Sequence, residues 1–237
     1  MNEPKSSKKA FIRRMFDDIS ARYDIGNRVI SFGLDGYCRR KAIKNHIQDD
    51  LVLDICSGTA DMAIELLNQA SFKGIMVLGD FSGRMHKLAK GKLARNKNAL
   101  DGPLIFQVCC DAENMPFKGQ IFDGVISGYS LRNLGDLRAF GLEIGRVLKR
   151  GGHASLVDVA HPPNWIYGRL FYFYFYKLIP IISKLFTRKK YAYRYLLGSL
   201  RSFYKQDEVL KRLCSDDVGG KYENVLKGAV AIYRLRR

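Results

Sequence analysis

Hydrophobic and polar positions along the chain alternate between short apolar runs and longer amphipathic stretches. Residues 51–53, 74–78, 104–110, 121–128 and 153–159 are apolar runs of strand length. Residues 62–67, a stretch from Ser82 through Lys97, and residues 136–148 place their apolar side chains at helical spacing. Strand-length runs alternating with helices predict an α/β fold, Rossmann-like, with a mostly parallel twisted sheet and helices on both faces. Near the end of the chain, residues 206–214 read as a helix and 228–233 as a strand at an antiparallel edge of the same sheet. Ahead of the first strand, residues 10–47 read as helical, with Phe11, Met15, Phe16 and Ile19 on one face and Gly-punctuated turns at Gly26 and at Gly33 and Gly36. Such an extension can cap a ligand crevice or pack on the sheet, and the pattern does not separate the two. The chain thus divides into a helical extension (1–50), an α/β core (51–160) and a segment of different character (161–237) that completes the same domain.

That last segment changes the picture. Tyr167 opens an aromatic and aliphatic run, Phe171-Tyr172-Phe173-Tyr174-Phe175-Tyr176, broken by Lys177, Pro180 and Lys184 and so unsuited to spanning a membrane. Arg188-Lys189-Lys190 follows at once, then Tyr191, Tyr193 and Tyr195. Of the formal net charge of +17, most lies here, with 16 Lys and Arg against 5 Asp and Glu in residues 161–237. Rings beside a basic cluster suit an interface with anionic lipid, and equally a helical lid over a hydrophobic substrate. RNA would suit the charge, but the run is too apolar and continuous for a solvated RNA groove, so no nucleic acid partner is expected. Five cysteines in no metal-ligand spacing and no CxxC pair fit a reducing compartment and predict no metal site. The polar, basic first residues lack the apolar core of a secretory signal, so the expected location is cytoplasmic, peripheral to the inner face of the membrane.

Chemistry is carried by the ends of the predicted strands. Asp54 closes the first, and Ser57-Gly58-Thr59-Ala60 lets the backbone turn tightly against a ligand before a helix opens at Asp61. Asp80 closes the second strand 21 residues after Thr59, the interval at which nucleotide-binding folds place the carboxylate for ribose hydroxyls. Ser82 is placed to cap the next helix. Asp111-Ala112 ends the third strand. Three such groups on adjacent strand ends would receive an amino acid, a ribose and an adenine in turn. The arrangement resembles a class I S-adenosylmethionine-dependent methyltransferase.

The resemblance narrows further on specific segments. Tyr23-Asp24 after Arg22, Asn27, Ser31-Phe32-Gly33, residues 54–61, Ala112-Glu113 with Met115-Pro116-Phe117, Leu131-Arg132-Asn133, Arg146-Val147-Leu148-Lys149 with Gly151-Gly152, and Tyr193-Arg194-Tyr195-Leu196 with Ser199 are similar to the demethylmenaquinone and ubiquinone C-methyltransferase family. The resemblance runs from about residue 16 to the final strand. It implies methyl transfer from S-adenosylmethionine to a ring carbon of a polyprenylated quinol, a naphthoquinol (demethylmenaquinol) or alternatively a benzoquinol of the ubiquinone pathway. Gly58 and Thr59 would hold the methionine end, Asp80 the ribose, Asp111 and Ala112 the adenine, and Asp54 the turn or the amino group. Arg132, which stays protonated, would stabilise a phenolate or position a water, with Asn133 assisting. The chain departs from the family pattern at Ala60, where glycine is usual, at Gly128 and Ser130, at Arg150 in place of Pro, and at Asp158 in place of Glu. An RNA methyltransferase and a non-catalytic membrane-associated protein of the same fold are the rival readings, and oligomeric state is not encoded legibly.

Overall fold

The computed structural model describes residues 5–20, 23–46, 48–69, 72–100, 102–183 and 190–237. Among the described residues three helices, α1 (Lys5–Ile19), α2 (Tyr23–Ile30) and α3 (Leu34–Ile43), precede β1 (Leu51–Ile55), and Gly26, expected at a turn, lies inside α2. Gly33, with φ of +74°, turns the chain between the second and third. The core then alternates: α4 (Asp61–Leu67), β2 (Ile75–Asp80), α5 (Gly83–Leu93), a short α6 (Lys97–Leu100), β3 (Ile105–Cys109), β4 (Phe122–Gly128), α7 (Leu137–Val147) and β5 (Leu148–Val159). Helix α8 (Trp165–Phe173) runs through a π turn (Tyr174–Leu178) into α9 (Ile179–Ser183), and α10 (Lys190–Arg201) and α11 (Gln206–Leu213) lead to β6 (Gly219–Val225) and β7 (Val230–Arg236).

The seven strands lie in the order β3-β2-β1-β4-β5-β7-β6, parallel through β5, with β7 antiparallel to both of its neighbours, β5 and β6. The final strand is therefore inside the sheet, paired with β5, and the outer edge is β6. That edge strand is absent from the sequence reading because Gly219-Gly220-Lys221-Tyr222-Glu223-Asn224 offers neither an apolar run nor a clean alternation. Two apolar layers sandwich the sheet. One centres on Phe140, Ile144 and Leu213, where Gly141 lets α7 approach α11: a Cβ there would stand 2.5 Å from the Leu213 carbonyl oxygen. The other, around Ile43, Met62, Leu66 and Leu78, holds α3 and α4 against the opposite face. The connection order reverses between β1 and β4, which opens a crevice at the carboxyl ends of the strands.

Candidate active site at the carboxyl ends of the strands

The turn between β1 and α4 is built from left-handed backbone. Cys56, Gly58 and Ala60 have φ of 56°, 53° and 68°, a conformation costing a residue with a Cβ roughly 1–2 kcal/mol. Tertiary bonds hold it. The Ala60 N–H donates to the Ser57 carbonyl at 2.8 Å and the Ser57 N–H to the Gly79 carbonyl at 3.0 Å. Asp80, only 6% exposed, accepts from the Gly58 N–H with one carboxylate oxygen and from the Ser82 N–H with the other, both at 2.9 Å. The methyl of Ala60 is fully buried in the core layer with Met62 and Ala63, away from the crevice, so the departure from glycine costs backbone strain rather than ligand space.

Above this turn lies an open pocket at the carboxyl ends of the strands. Among the predicted residues, Gly58, Asp80, Asp111, Ala112 and Asn133 line it. Thr59 does not: its hydroxyl donates to Asp24 at 2.7 Å, and Lys92 donates to that hydroxyl at 3.2 Å and to Asp24 at 2.9 Å. Thr59 thus anchors the turn to α2, which explains why Asp24 stands in a motif of its own. Asp54 is likewise outside the lining. One of its oxygens accepts from the Ala63 N–H at 3.1 Å in the first turn of α4, while Oδ1 is buried with no hydrogen-bond partner, as is Ser57 Oγ. Arg132 turns away as well, donating to Asp158 at 2.5 Å from its guanidinium and at 3.2 Å from its backbone, beside a second, polar cavity. Asp158 is fully buried.

The far wall comes from α1, whose Ile12 and Phe16 face the pocket and whose Met15 is buried. Of the two roles open to the N-terminal extension, this helix takes the capping one. Lys9 pairs with Asp111 at 2.6 Å and Glu113 at 3.0 Å, and the Ser82 hydroxyl donates to Asp17 at 2.5 Å. Sequence periodicity marks the apolar face of α1 but not its target, because the residues it meets lie about a hundred positions away. Cys56 and Cys110 also line the pocket, and burial pushes both thiols up, Cys110 to about 12, so neither carries a thiolate near neutral pH.

Burial also pushes the Asp54 carboxyl up to about 8, outweighing the Ala63 hydrogen bond and the Arg39 charge, with Asp80 and Asp61 adding to the rise. A carboxyl more basic in the folded than in the unfolded chain binds the extra proton on folding. Its contribution to stability is therefore full below the unfolded value and lost as pH rises toward 8 and beyond. Thermal denaturation of the ligand-free protein between pH 5 and pH 9, roughly spanning that rise, should show a falling midpoint. Asp54→Asn, which keeps an acceptor for Ala63, should flatten the fall; an equally steep slope in the variant would remove Asp54 as its source.

The family model described as the ubiE/COQ5 methyltransferase family matches residues 2–236. A ubiquinone/menaquinone biosynthesis C-methyltransferase from Geotalea daltonii is 39% identical over 204 residues, 83% of each chain. A demethylmenaquinone methyltransferase from Desulfitobacterium hafniense is 34% identical over 233 residues, 97% of this chain and 91% of that one. Among solved structures, an S-adenosylmethionine-dependent methyltransferase from Thermotoga maritima matches with a TM-score of 0.61 and 18% identity over 94% of this chain and 98% of the other, a likeness of fold.

Proposed function

The chain belongs to the ubiE/COQ5 methyltransferase family, and from that premise we propose that it transfers a methyl group from S-adenosylmethionine to a ring carbon of a polyprenylated quinol, demethylmenaquinol first. The observation that carries the reading is the buried Asp80 carboxylate at the mouth of the pocket, fixed by the Gly58 and Ser82 amides. A carboxylate has about four acceptor sites, so two remain for a vicinal diol. The donor set suits the cofactor further. Asp54 Oδ1, at the end of β1, and Ser57 Oγ, in the turn after it, are buried polar atoms without partners, and Asp54, outside the lining, would orient the turn through its bond from the Ala63 N–H. Asp111 and Ala112 would take the adenine edge, and Gly58 with Thr59 would shape the backbone at the methionine end.

S-adenosylmethionine supplies an already activated sulfonium methyl. The residues then have two tasks, to hold the acceptor carbon in line with that methyl and to keep water out. Ile12 and Phe16 close the apolar side of the pocket. Asn133 lines the same pocket and is assigned to the acceptor hydroxyl. Arg132 acts as a positioning residue, its bonds to Asp158 fixing the Leu131–Asn133 turn that carries Asn133 to the pocket. A methyl-transfer assay with demethylmenaquinol and with the corresponding benzoquinol, read by product mass, tests the proposal; methylation of neither overturns it, and methylation of the benzoquinol alone reassigns the pathway.

The acceptor's prenyl tail requires access to lipid, and the surface of α8 and α9 is suited to it. Trp165 is 73% exposed, Leu170 65% and Ile181 62%, with Ile166 and Phe173 beside them and Arg169 and Lys177 on the same face. No helix among the described residues is long and apolar enough to cross a membrane. The face is assigned to the headgroup level of an anionic leaflet, with residues 161–237 completing the core domain of 51–160 and the helices of 1–50 covering its ligand. The Arg188-Lys189 part of the basic cluster lies outside the described residues. Leu170→Glu combined with Phe173→Glu should weaken partitioning onto anionic liposomes by more than about a hundredfold, since each buried apolar side chain contributes roughly 1.5–3 kcal/mol. Undiminished pelleting would remove α8 from the contact.

A further inference from the structure

At the opposite, amino-terminal ends of the strands, two imidazoles and a carboxylate converge. His46 ends the turn after α3, Asp49 lies just before β1, and His153 sits in β5 in register with Gly124 of β4. Asp49 Oδ2 is 2.8 Å from His46 Nδ1 and 3.4 Å from His153 Nε2, and one ligand atom of each residue lies within 4.8 Å of the other two. Donors at about 2.0–2.2 Å from a tetrahedral zinc ion stand about 3.3 Å apart, and the two pairs that include Asp49 are already within roughly 0.5 Å of that spacing. Space for it is kept by a glycine. A Cβ on Gly124 would fall 2.1 Å from Asp49 Oδ2 and 2.4 Å from His46 Nδ1.

The His153 Nε2 lies 2.9 Å from the Asn45 carbonyl oxygen and His46 Nδ1 lies 2.8 Å from Asp49 Oδ2, so two ring nitrogens and a carboxylate oxygen already face one another around a His46 side chain with no exposure. We propose that His46, Asp49 and His153 form a binding site for a divalent transition metal of the zinc type, with water or the Asn45 carbonyl completing the shell. Two imidazole nitrogens and one carboxylate oxygen are the donor set such ions take, whereas magnesium and calcium favour all-oxygen shells. The ion would tie the segment between α3 and β1 to β5. It stands at the other end of the strands from the methyl-transfer pocket, so its effect is on stability.

Chelator-treated full-length protein titrated with Co²⁺ should take up one equivalent with weak visible d–d bands and no thiolate-to-cobalt charge-transfer band. Zn²⁺ at about a hundredfold over its Kd should raise Tm by roughly 5 °C or more. His153→Gln and Asp49→Asn, at positions less deeply buried than His46, should each weaken Co²⁺ binding at least about tenfold. Should a variant fail to fold, X-ray absorption of the Zn²⁺-loaded parent protein decides, with nitrogen and oxygen neighbours including imidazole expected. No uptake, a sulfur shell from the free cysteines, or unchanged affinity in both variants would overturn the site.

Discussion

Asp80→Ala should weaken S-adenosylmethionine binding at least about tenfold, near 1.4 kcal/mol, and lower the stability of the ligand-free protein by roughly 1–3 kcal/mol. The two losses come from the same two oxygens. Each holds a backbone N–H, Gly58 on one side and Ser82 on the other, so truncation leaves two donors and a strained turn without their anchor. Asp80→Asn separates the roles. Its amide nitrogen cannot accept, so one N–H loses its partner and one end of the diol site inverts from acceptor to donor. Isothermal calorimetry and urea denaturation on both variants give the two quantities. Unchanged affinity in Asp80→Ala would withdraw the ribose assignment, whatever happened to the fold.

Arg132→Ala should cost the fold more, roughly 3–5 kcal/mol, a drop in Tm of roughly 10 °C for a chain of this size. The reason is the partner left behind. Asp158 has no exposed surface, and without the guanidinium the hydrogen bonds to its carboxylate among the described residues come from the backbone N–H groups of Arg132 and Val159. Adding Asp158→Asn should recover a substantial part of that stability, because it removes the stranded charge rather than restoring the pair. Turnover should fall in both variants while affinity for S-adenosylmethionine stays within about twofold of the parent, less than about 0.5 kcal/mol. A parallel loss of affinity and Tm, with no recovery in the double variant, would leave Arg132 a purely structural residue.

What could be read in advance follows a physical line. Strands buried on both faces announce themselves as apolar runs, and β1, β2, β4 and β5 were legible for that reason, while the half-exposed edge strand β3 carries an apolar run of its own. The solvent-facing β6 has no such signal, since its residues are polar, and its place is decided by pairing with β7. Asp80 was legible as a position lining the pocket, because the spacing that marks it lies within one βαβ unit. Thr59 and Arg132 were legible as positions but not as contacts. Thr59 meets Asp24 and Lys92 across three elements, and Arg132 meets Asp158 on the neighbouring strand. Ala60 illustrates the limit from the other side: as a letter it threatens the ligand site, whereas in space its methyl belongs to the core.

The contact of Lys9 with Asp111 and Glu113 has a thermodynamic consequence. Lys9 donates to one oxygen of Asp111 and the Glu113 N–H to the other, which leaves about two of the four acceptor sites of that carboxylate open. The seating of α1 on the strand ends is thereby tied to the charge of Asp111 and Glu113, and because Lys9 and Asp111 are part-exposed, raising the salt concentration should loosen the helix.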